Sequence, residues 1–166
     1  RIVIFTGAGV SADSGIATFR DSDGLWANYR IEDVCTPEAL LRNREKVIDF
    51  YNQRRKDMLE KEPNAAHIAL AKLEQAGKFD VQIITQNIDN LHYEAGSKNV
   101  LELHGSEFRN YCTKCHKFFS IEDVKWSVGI PRCECGGIIK PDVVLYEESL
   151  DYSILEEAMK ACQEAD

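Results

Sequence analysis

The sequence predicts an α/β fold: a parallel sheet with helices on its faces, interrupted late in the chain by a small cysteine-rich module. Three observations carry this. Short strand-like runs at residues 2–6, 81–85 and 100–103 alternate with helix-period stretches. The runs lead into glycine or polar residues at their C-terminal ends, where a parallel α/β sheet gathers its ligands. Four of the six cysteines, Cys112, Cys115, Cys133 and Cys135, fall within 24 residues that show no long periodicity.

The elements follow in order. Residues 2–6 open the sheet and run into a glycine loop, where Ser11 or Asp13 is placed to cap a short helix. Residues 21–28 are polar and read as a loop able to move. Thr36-Pro37-Glu38 reads as N-cap, N1 and N2 of a helix to about Arg42. Residues 44–61 carry Val47, Ile48, Tyr51, Met58 and Leu59 at helical spacing. After the Pro63-Asn64 break, residues 65–76 predict a helix that buries Ile68, Leu70 and Leu73 and ends at Gly77. Residues 143–146 return to strand pattern and 152–164 to helix. The expected organisation is 1–107 as the first part of the sheet domain, with a helical insertion at about 36–76, then 108–141 as the metal module and 142–166 as the return to the sheet. The chain starts directly on a strand with Arg1, and an α/β sheet is expected to continue past Asp166, so we expect a piece of a longer protein.

At 166 residues the chain is long enough for a sizeable core. A net charge of −8 argues against nucleic acid or anionic membrane as partners, which favour basic surfaces, but leaves a cationic peptide open. No apolar run approaches the roughly 18 residues of a membrane span, and no signal-peptide pattern opens the chain. A cytoplasmic location is expected, and with it metal binding by the cysteines rather than disulfides.

Gly7 and Gly9 fit the start of a dinucleotide fingerprint, but the next glycine is Gly15, and no Lys follows as in a Walker loop. The stretch reads either as an anion site of another kind, with N–H groups near 10–12 meeting a phosphate, or as a plain tight β–α turn. Gln86, Asn87, Asp89 and His92 crowd the end of the second strand, where they either bind something or form a solvated turn. His104, at the third strand's end, is suited to a general base or to a structural role. His67 sits among apolar neighbours and reads as structural, and Cys35 and Cys162 as plain buried thiols.

Cys112-x-x-Cys115 and Cys133-x-Cys135 enclose 17 residues, close to a zinc-ribbon spacing with the last gap one residue short. Four thiolates leave no open coordination position, so the zinc would be structural. Lys114, Lys117, Arg132 and Lys140 stand near enough in sequence to offset the negative charge. The run Cys112–His116 also reads C-x-x-C-H, a haem-attachment pattern, and His116 is an alternative zinc ligand.

In this order the segments resemble the sirtuins, the NAD-dependent protein-lysine deacylases. The matching motifs are G-A-G-x-S-x-x-S-G-I-x-x-F-R at 7–20, T-Q-N-I-D-x-L-H at 85–92, L-H-G at 103–105, the cysteine pairs, and K-P-D-V-V at 140–144. The resemblance implies a Rossmann-like NAD-binding sheet, incomplete here, and a small zinc-ribbon module, with NAD+ and an acyl-lysine protein or peptide meeting between them. Around the cofactor it places Gly7, Ala8, Gly9, Ser11, Gly15, Ile16, Phe19, Arg20 and Trp26 from the first loop, then Gln86, Asn87, Ile88, Asp89 and His104. His104 is the implied base, with Asn87 and Asp89 at the nicotinamide. Val143, Val144 and Leu145 would pair with the substrate peptide.

Tyr51 and Arg54, at i and i+3 on one helix face, match the Tyr-x-x-Arg signature of desuccinylase-type members, and the resemblance is closest to bacterial members carrying it. Thr18, where many deacetylases have Asp, points the same way. The implied reaction removes acetyl and succinyl or malonyl groups from lysine, giving nicotinamide and 2′-O-acyl-ADP-ribose. The alternatives are a protein mono-ADP-ribosyltransferase and an inactive NAD- or acyl-lysine-binding fragment. The chain departs from the family at Tyr146-Glu147, where many members have Phe-Gly, and it lacks the later strand with a Gly-Thr-Ser turn.

Overall fold

A computed structural model describes residues 1–17, 28–124 and 130–166. Thr18, Phe19, Arg20 and Trp26, and the expected loop at 21–28 apart from Asn28, lie outside the described residues.

Strands β1 (Ile2–Thr6), β2 (Val81–Thr85) and β3 (Val100–Glu102) form a parallel sheet in the order β1-β2-β3. β2 lies in the middle and all five of its residues are buried. Gln82 is tolerated there because its amide donates to the carbonyls of Ile83 and Asn99. The register sets Phe5, Ile84 and Leu101 side by side on one face. Helix α6 (Tyr152–Gln163), capped by Asp151, packs Ile154 and Ala158 on Ile84 and Leu101 and leaves Phe5 exposed. Alternation turns Thr6 to the opposite face. There its hydroxyl meets His92 of the short helix α5 (Leu91–Glu94) at 3.0 Å.

The crossover from β1 to β2 holds a 3-10 helix (Ala8–Ser14) and four helices: α1 (Ile31–Val34), α2 (Pro37–Arg42), α3 (Arg44–Met58) and α4 (Ala65–Gln75). The expected cap of α2 is present: the Thr36 side chain accepts from Ala39 N–H at 3.1 Å, and Pro37 opens the helix. Such a cap contributes about 1 kcal/mol. Val34, Cys35, Ala39, Val47, Phe50 and Tyr51 pack as one core with Val143 and Leu145 from much later in the chain. The helical insertion is thereby anchored to the segment that leaves the second sheet.

That second sheet is antiparallel, in the order β5-β4-β6, built from β4 (Gly105–Cys112), β5 (Phe118–Phe119) and β6 (Ile139–Val143). The chain passes from one sheet to the other at Leu103-His104-Gly105. Gly105 has φ +75°, and a Cβ there would stand 2.0 Å from the Asp142 carbonyl oxygen, so only glycine fits.

Several expectations are corrected. α3 stops at Met58, and Leu59 is exposed. In α4 Ile68 is exposed, Leu70 and Leu73 are half-buried, and the buried residues are His67 and Ala71. A polar anchor sets that helix's phase. Asn64 caps it, His67 accepts from the Asn64 N–H, and the ring turns inward to Ser11. The strand expected at 143–146 runs earlier, at Ile139–Val143, because Pro141 sits on an edge strand where its missing N–H costs no ladder bond. Tyr146 instead gives its N–H to the Cys35 carbonyl at 2.8 Å.

Candidate active site and metal centre

The metal centre lies at the far end of β4. The four cysteine sulfurs all lie within 4.8 Å of one another, and two pairs stand 3.4 and 3.6 Å apart. Tetrahedral zinc with Zn–S near 2.3 Å needs sulfurs about 3.8 Å apart, so the set fits. The short Cys133-x-Cys135 gap is accommodated by Gly136 at φ +82° and by Gly137, where a Cβ would stand 2.4 Å from Cys112 Sγ. Among the described residues the group contains only cysteines. His116, the alternative ligand, instead stacks on Tyr111 at 6.3 Å. Lys114 and Arg132 donate to carbonyls of the cysteine loop, those of Cys135 and Gly136. Lys140 is turned away: it is buried, donates to the Pro141 and Val143 carbonyls, and lies over the Tyr111 ring. It braces β6 rather than balancing the thiolates.

The other end of β4 opens on a cavity of about 350 Å³. Ala8, Ser11 and Ile16 line it from the first loop, Gln86, Asn87, Ile88 and Asp89 from the second, and His104 from the crossing point. Tyr51 and Arg54 enter from α3, and Val143 from the end of β6 with Val144 and Leu145 just beyond it. The residues singled out from both loops, the helix and the strand end therefore meet in one place. Gly7, Gly9 and Gly15 are not among the lining residues, though a Cβ on Gly7 would stand 3.3 Å from Gln86 Oε1.

Ser11 does not cap a helix as expected. The turn is a 3-10 helix with Gly7 at its N-cap, and the Val10 N–H is already given to the Gly7 carbonyl. Ser11, 1% exposed, instead ties the two loops together. Its hydroxyl donates to Asp89 Oδ2 at 2.6 Å and accepts from Asn87 Nδ2 at 3.0 Å. His67 Nδ1 accepts from a backbone N–H, so its proton sits on Nε2 and points at Ser11 Oγ, 3.4 Å away. Asp89 also accepts from Leu91 N–H, which leaves this buried carboxylate fixed on both oxygens. Asn64 adds a brace, donating to the Val10 carbonyl and Ser14.

His104 Nδ1 lies 2.9 Å from the Gln86 carbonyl oxygen. A carbonyl only accepts, so Nδ1 carries the proton and Nε2 keeps its lone pair. A half-buried imidazole oriented in this way at a cavity wall is suited to take a proton.

On the α3 side, Tyr51 and Arg54 each face an internal partner. Tyr51 is paired with the Cys35 thiol. Burial pushes that thiol up to about 11 and the Tyr51 phenol well above its usual range. Arg54 Nε lies 3.1 Å from Glu107 Oε1, and the Glu107 side chain is fully buried. Burial raises the Glu107 carboxyl, opposed by Arg54 and then Arg55. Sequence reasoning left Cys35 unassigned, read Asn64 only as part of a break, Met58 only as a helix residue and Tyr146 as a departure from the family pattern, and passed over Glu107 and Glu148. Only Asn64, directly before a helical run, carried a local signal.

Two further histidines answer to pH. Burial lowers His67 and His92 below the ordinary 6.5, with Asp89 opposing, and at His92 the neighbouring His67 lowers it further. The unfolded chain therefore binds these protons first. Their contribution is complete above about pH 6.5 and is lost as pH falls toward their lowered folded values. We expect both imidazole NMR signals to remain neutral as pH passes downward through 6.5. Titration at or above 6.5 contradicts the assignment.

Fold and cleft together define a parallel α/β ligand-binding protein with an inserted metal ribbon, the cavity lying where the chain crosses between them. The chain belongs to the Sir2 family, whose family model matches residues 7–166. It is 49% identical over 170 residues to the NAD-dependent protein deacylase of Pyrococcus furiosus, covering 99% of this chain and 68% of the relative. It is 50% identical over 173 residues to the NAD-dependent protein deacetylase of Clostridium perfringens, covering 100% of this chain and 70% of that one. A solved Sir2 homologue–NAD complex superposes with a TM-score of 0.89 at 43% identity, over 99% of this chain and 64% of that chain. The chain thus spans about two thirds of the length of the proteins it matches. No helix among the described residues is long and apolar enough to cross a membrane.

Proposed function

We propose that this protein removes acyl groups from protein lysines in an NAD-dependent reaction that releases nicotinamide and 2′-O-acyl-ADP-ribose. One observation carries the reading: in a chain of this family, His104 and the Ser11-tethered pair Asn87 and Asp89 converge on one cavity. When bound, NAD+ supplies a ribose carbon with nicotinamide as leaving group, and the hydroxyls that take over the acyl group. Residues of the two loops would hold it: Gly7, Ala8, Gly9, Ser11, Gly15 and Ile16, then Gln86 and Ile88, with Phe19, Arg20 and Trp26 assigned by the family motif. Asn87 and Asp89, immobilised by Ser11, would meet the carboxamide, and His104 Nε2 would accept the proton. Val143, Val144 and Leu145 would pair with the peptide backbone. Residues 108–141 would be a module that holds structural zinc, and the segments on either side of it the NAD-binding domain.

For the acyl group, the cavity position of Tyr51 and Arg54 supports acceptance of succinyl or malonyl beside acetyl. A guanidinium can pair with a terminal carboxylate, and a phenol can donate to it. The test uses the full-length protein, NAD+ and acetyl- or succinyl-lysine peptides, followed by mass spectrometry. Loss of acyl with formation of O-acyl-ADP-ribose is expected. Nicotinamide release with ADP-ribose added to protein would instead establish the transferase, and no NAD turnover would leave a binding module. Arg54→Met should lower succinyl kcat/KM about ten- to hundredfold, the worth of a charged hydrogen bond. Acetyl kcat/KM should change by less than about threefold. Equal losses would remove the acyl-carboxylate reading.

A further inference from the structure

The acyl end of the cavity holds a charge arrangement that the Tyr-x-x-Arg pair does not account for. Arg54 lines the cavity and its side chain is 14% exposed. Directly behind it lies Glu107 of β4, with no exposed surface, its Oε1 3.1 Å from Arg54 Nε. The backbone at Glu107 is itself pinned. Arg55 Nε donates to the Glu107 carbonyl at 2.8 Å, and Arg55 Nη2 donates to Asn110 Oδ1 at 3.0 Å. The Glu107 N–H is given to the Ile88 carbonyl at 3.1 Å. The backbone that carries the carboxylate is therefore held by two neighbouring segments, which fixes where the side chain starts.

We infer that Glu107 is a specificity-determining residue of this site: its buried carboxylate orients the Arg54 guanidinium and cancels part of the charge that the acyl chain meets. This rests on the reading of Tyr51 and Arg54 given above. The physical consequence has two sides. A bare guanidinium facing an apolar acyl group is costly, because its charge has lost water and gained nothing. With Glu107 behind it, the charge is met from inside, and acetyl or butyryl chains enter at little cost. A succinyl carboxylate still finds hydrogen-bond donors, but it also faces the Glu107 charge across the guanidinium. Like charges about 7 Å apart at an effective dielectric near 20 repel enough to weaken binding about tenfold or more. Burial keeps salt from screening that repulsion. Glu107 is thus a positioning residue that acts through Arg54 and broadens acyl acceptance.

The test is steady-state kinetics on the full-length protein with succinyl-, butyryl- and acetyl-lysine peptides. Glu107→Gln keeps the shape and removes the charge. KM for the succinyl peptide should fall about tenfold, while KM for the acetyl and butyryl peptides rises because the guanidinium loses its internal counter-charge. In an Arg54→Met background the same change should move succinyl KM by less than twofold, since the buried carboxyl, stripped of its counter-charge, takes up a proton and no longer repels the ligand. A merely structural role would shift all three peptides together. An unchanged or raised succinyl KM in Glu107→Gln overturns the inference while Arg54→Met can still show its selective loss. If Arg54→Met is not selective, both readings fail. If Glu107→Gln does not fold, the unaltered protein decides. Partial cancellation predicts that succinyl kcat/KM exceeds butyryl by no more than about tenfold, and a preference above about a hundredfold overturns it.

Discussion

Replacing His104 with alanine is expected to lower deacylase kcat/KM by at least about a hundredfold, the lower end of what a positioned general base supplies. The argument rests on orientation. The Gln86 carbonyl 2.9 Å from Nδ1 selects the tautomer that leaves Nε2 as the acceptor. Alanine removes the acceptor and little else. The structural hydrogen bonds at this crossing are made by backbone: Val144 N–H to the His104 carbonyl, and Leu103 N–H to the Thr85 carbonyl. The unfolding midpoint should stay within a few degrees, because a half-buried ring without a core role contributes little. Activity within tenfold of the unaltered protein, in a variant shown by circular dichroism to be folded, would exclude His104 as the base.

The second large effect belongs to the metal centre, where Cys112→Ser should lower the unfolding midpoint by more than about 10 °C and abolish activity. Structural zinc in small modules is worth on the order of 10 kcal/mol, comparable to the whole stability of a domain of about 5–15 kcal/mol. Cys112 is fully buried in a small core with Val124, Cys133 and Ile139, so the metal stands where a larger hydrophobic core would otherwise be needed. The effect reaches the cleft through connectivity. β4 runs from Gly105 to Cys112, with a register shift against β6 between Ser106 and Asn110, and β6 ends at Val143 and leads into Val144 and Leu145 on the cavity wall. Chelation should reproduce the loss, and one equivalent of zinc should reverse it. Elemental analysis showing one zinc per chain, together with calorimetry before and after chelation, checks this. A chelated, metal-free protein with an unchanged midpoint would contradict it.

What could be read from the sequence was what depends on near neighbours. β1 and β2 are short strand-like runs, and both appear with the expected bounds. α2 carries its own start signal in Thr36-Pro37. The cysteine pairs announce their geometry through spacing. Glycines and polar side chains at strand ends pointed to the right end of the sheet, since a parallel fold gathers ligands there. The misreadings arise where a distant partner decides. The face that α4 buries is chosen by His67 reaching Ser11, 56 residues away. Ser11 looked like a cap because its hydroxyl suits one, yet Asp89, 78 residues on, accepts its hydrogen bond. Pro141 disguised β6, whose pairing depends on β4 rather than on its own pattern. Glu107 sits where the β4–β6 register shifts, between Ser106 and Asn110, and nothing in the local sequence distinguishes it from a solvated glutamate; only the fold brings Arg54 against it.

Gly105 carries a last implication. Its backbone passes so close to Asp142 that no side chain can be introduced, and the histidine beside it is carried by that rigid crossing. On the proposed reading of His104 as the base, natural or engineered change of substrate has no freedom to re-aim it. Such change works instead through Arg54 of α3 and the residues around Tyr146, with Glu107, three residues beyond the histidine, acting on the same guanidinium.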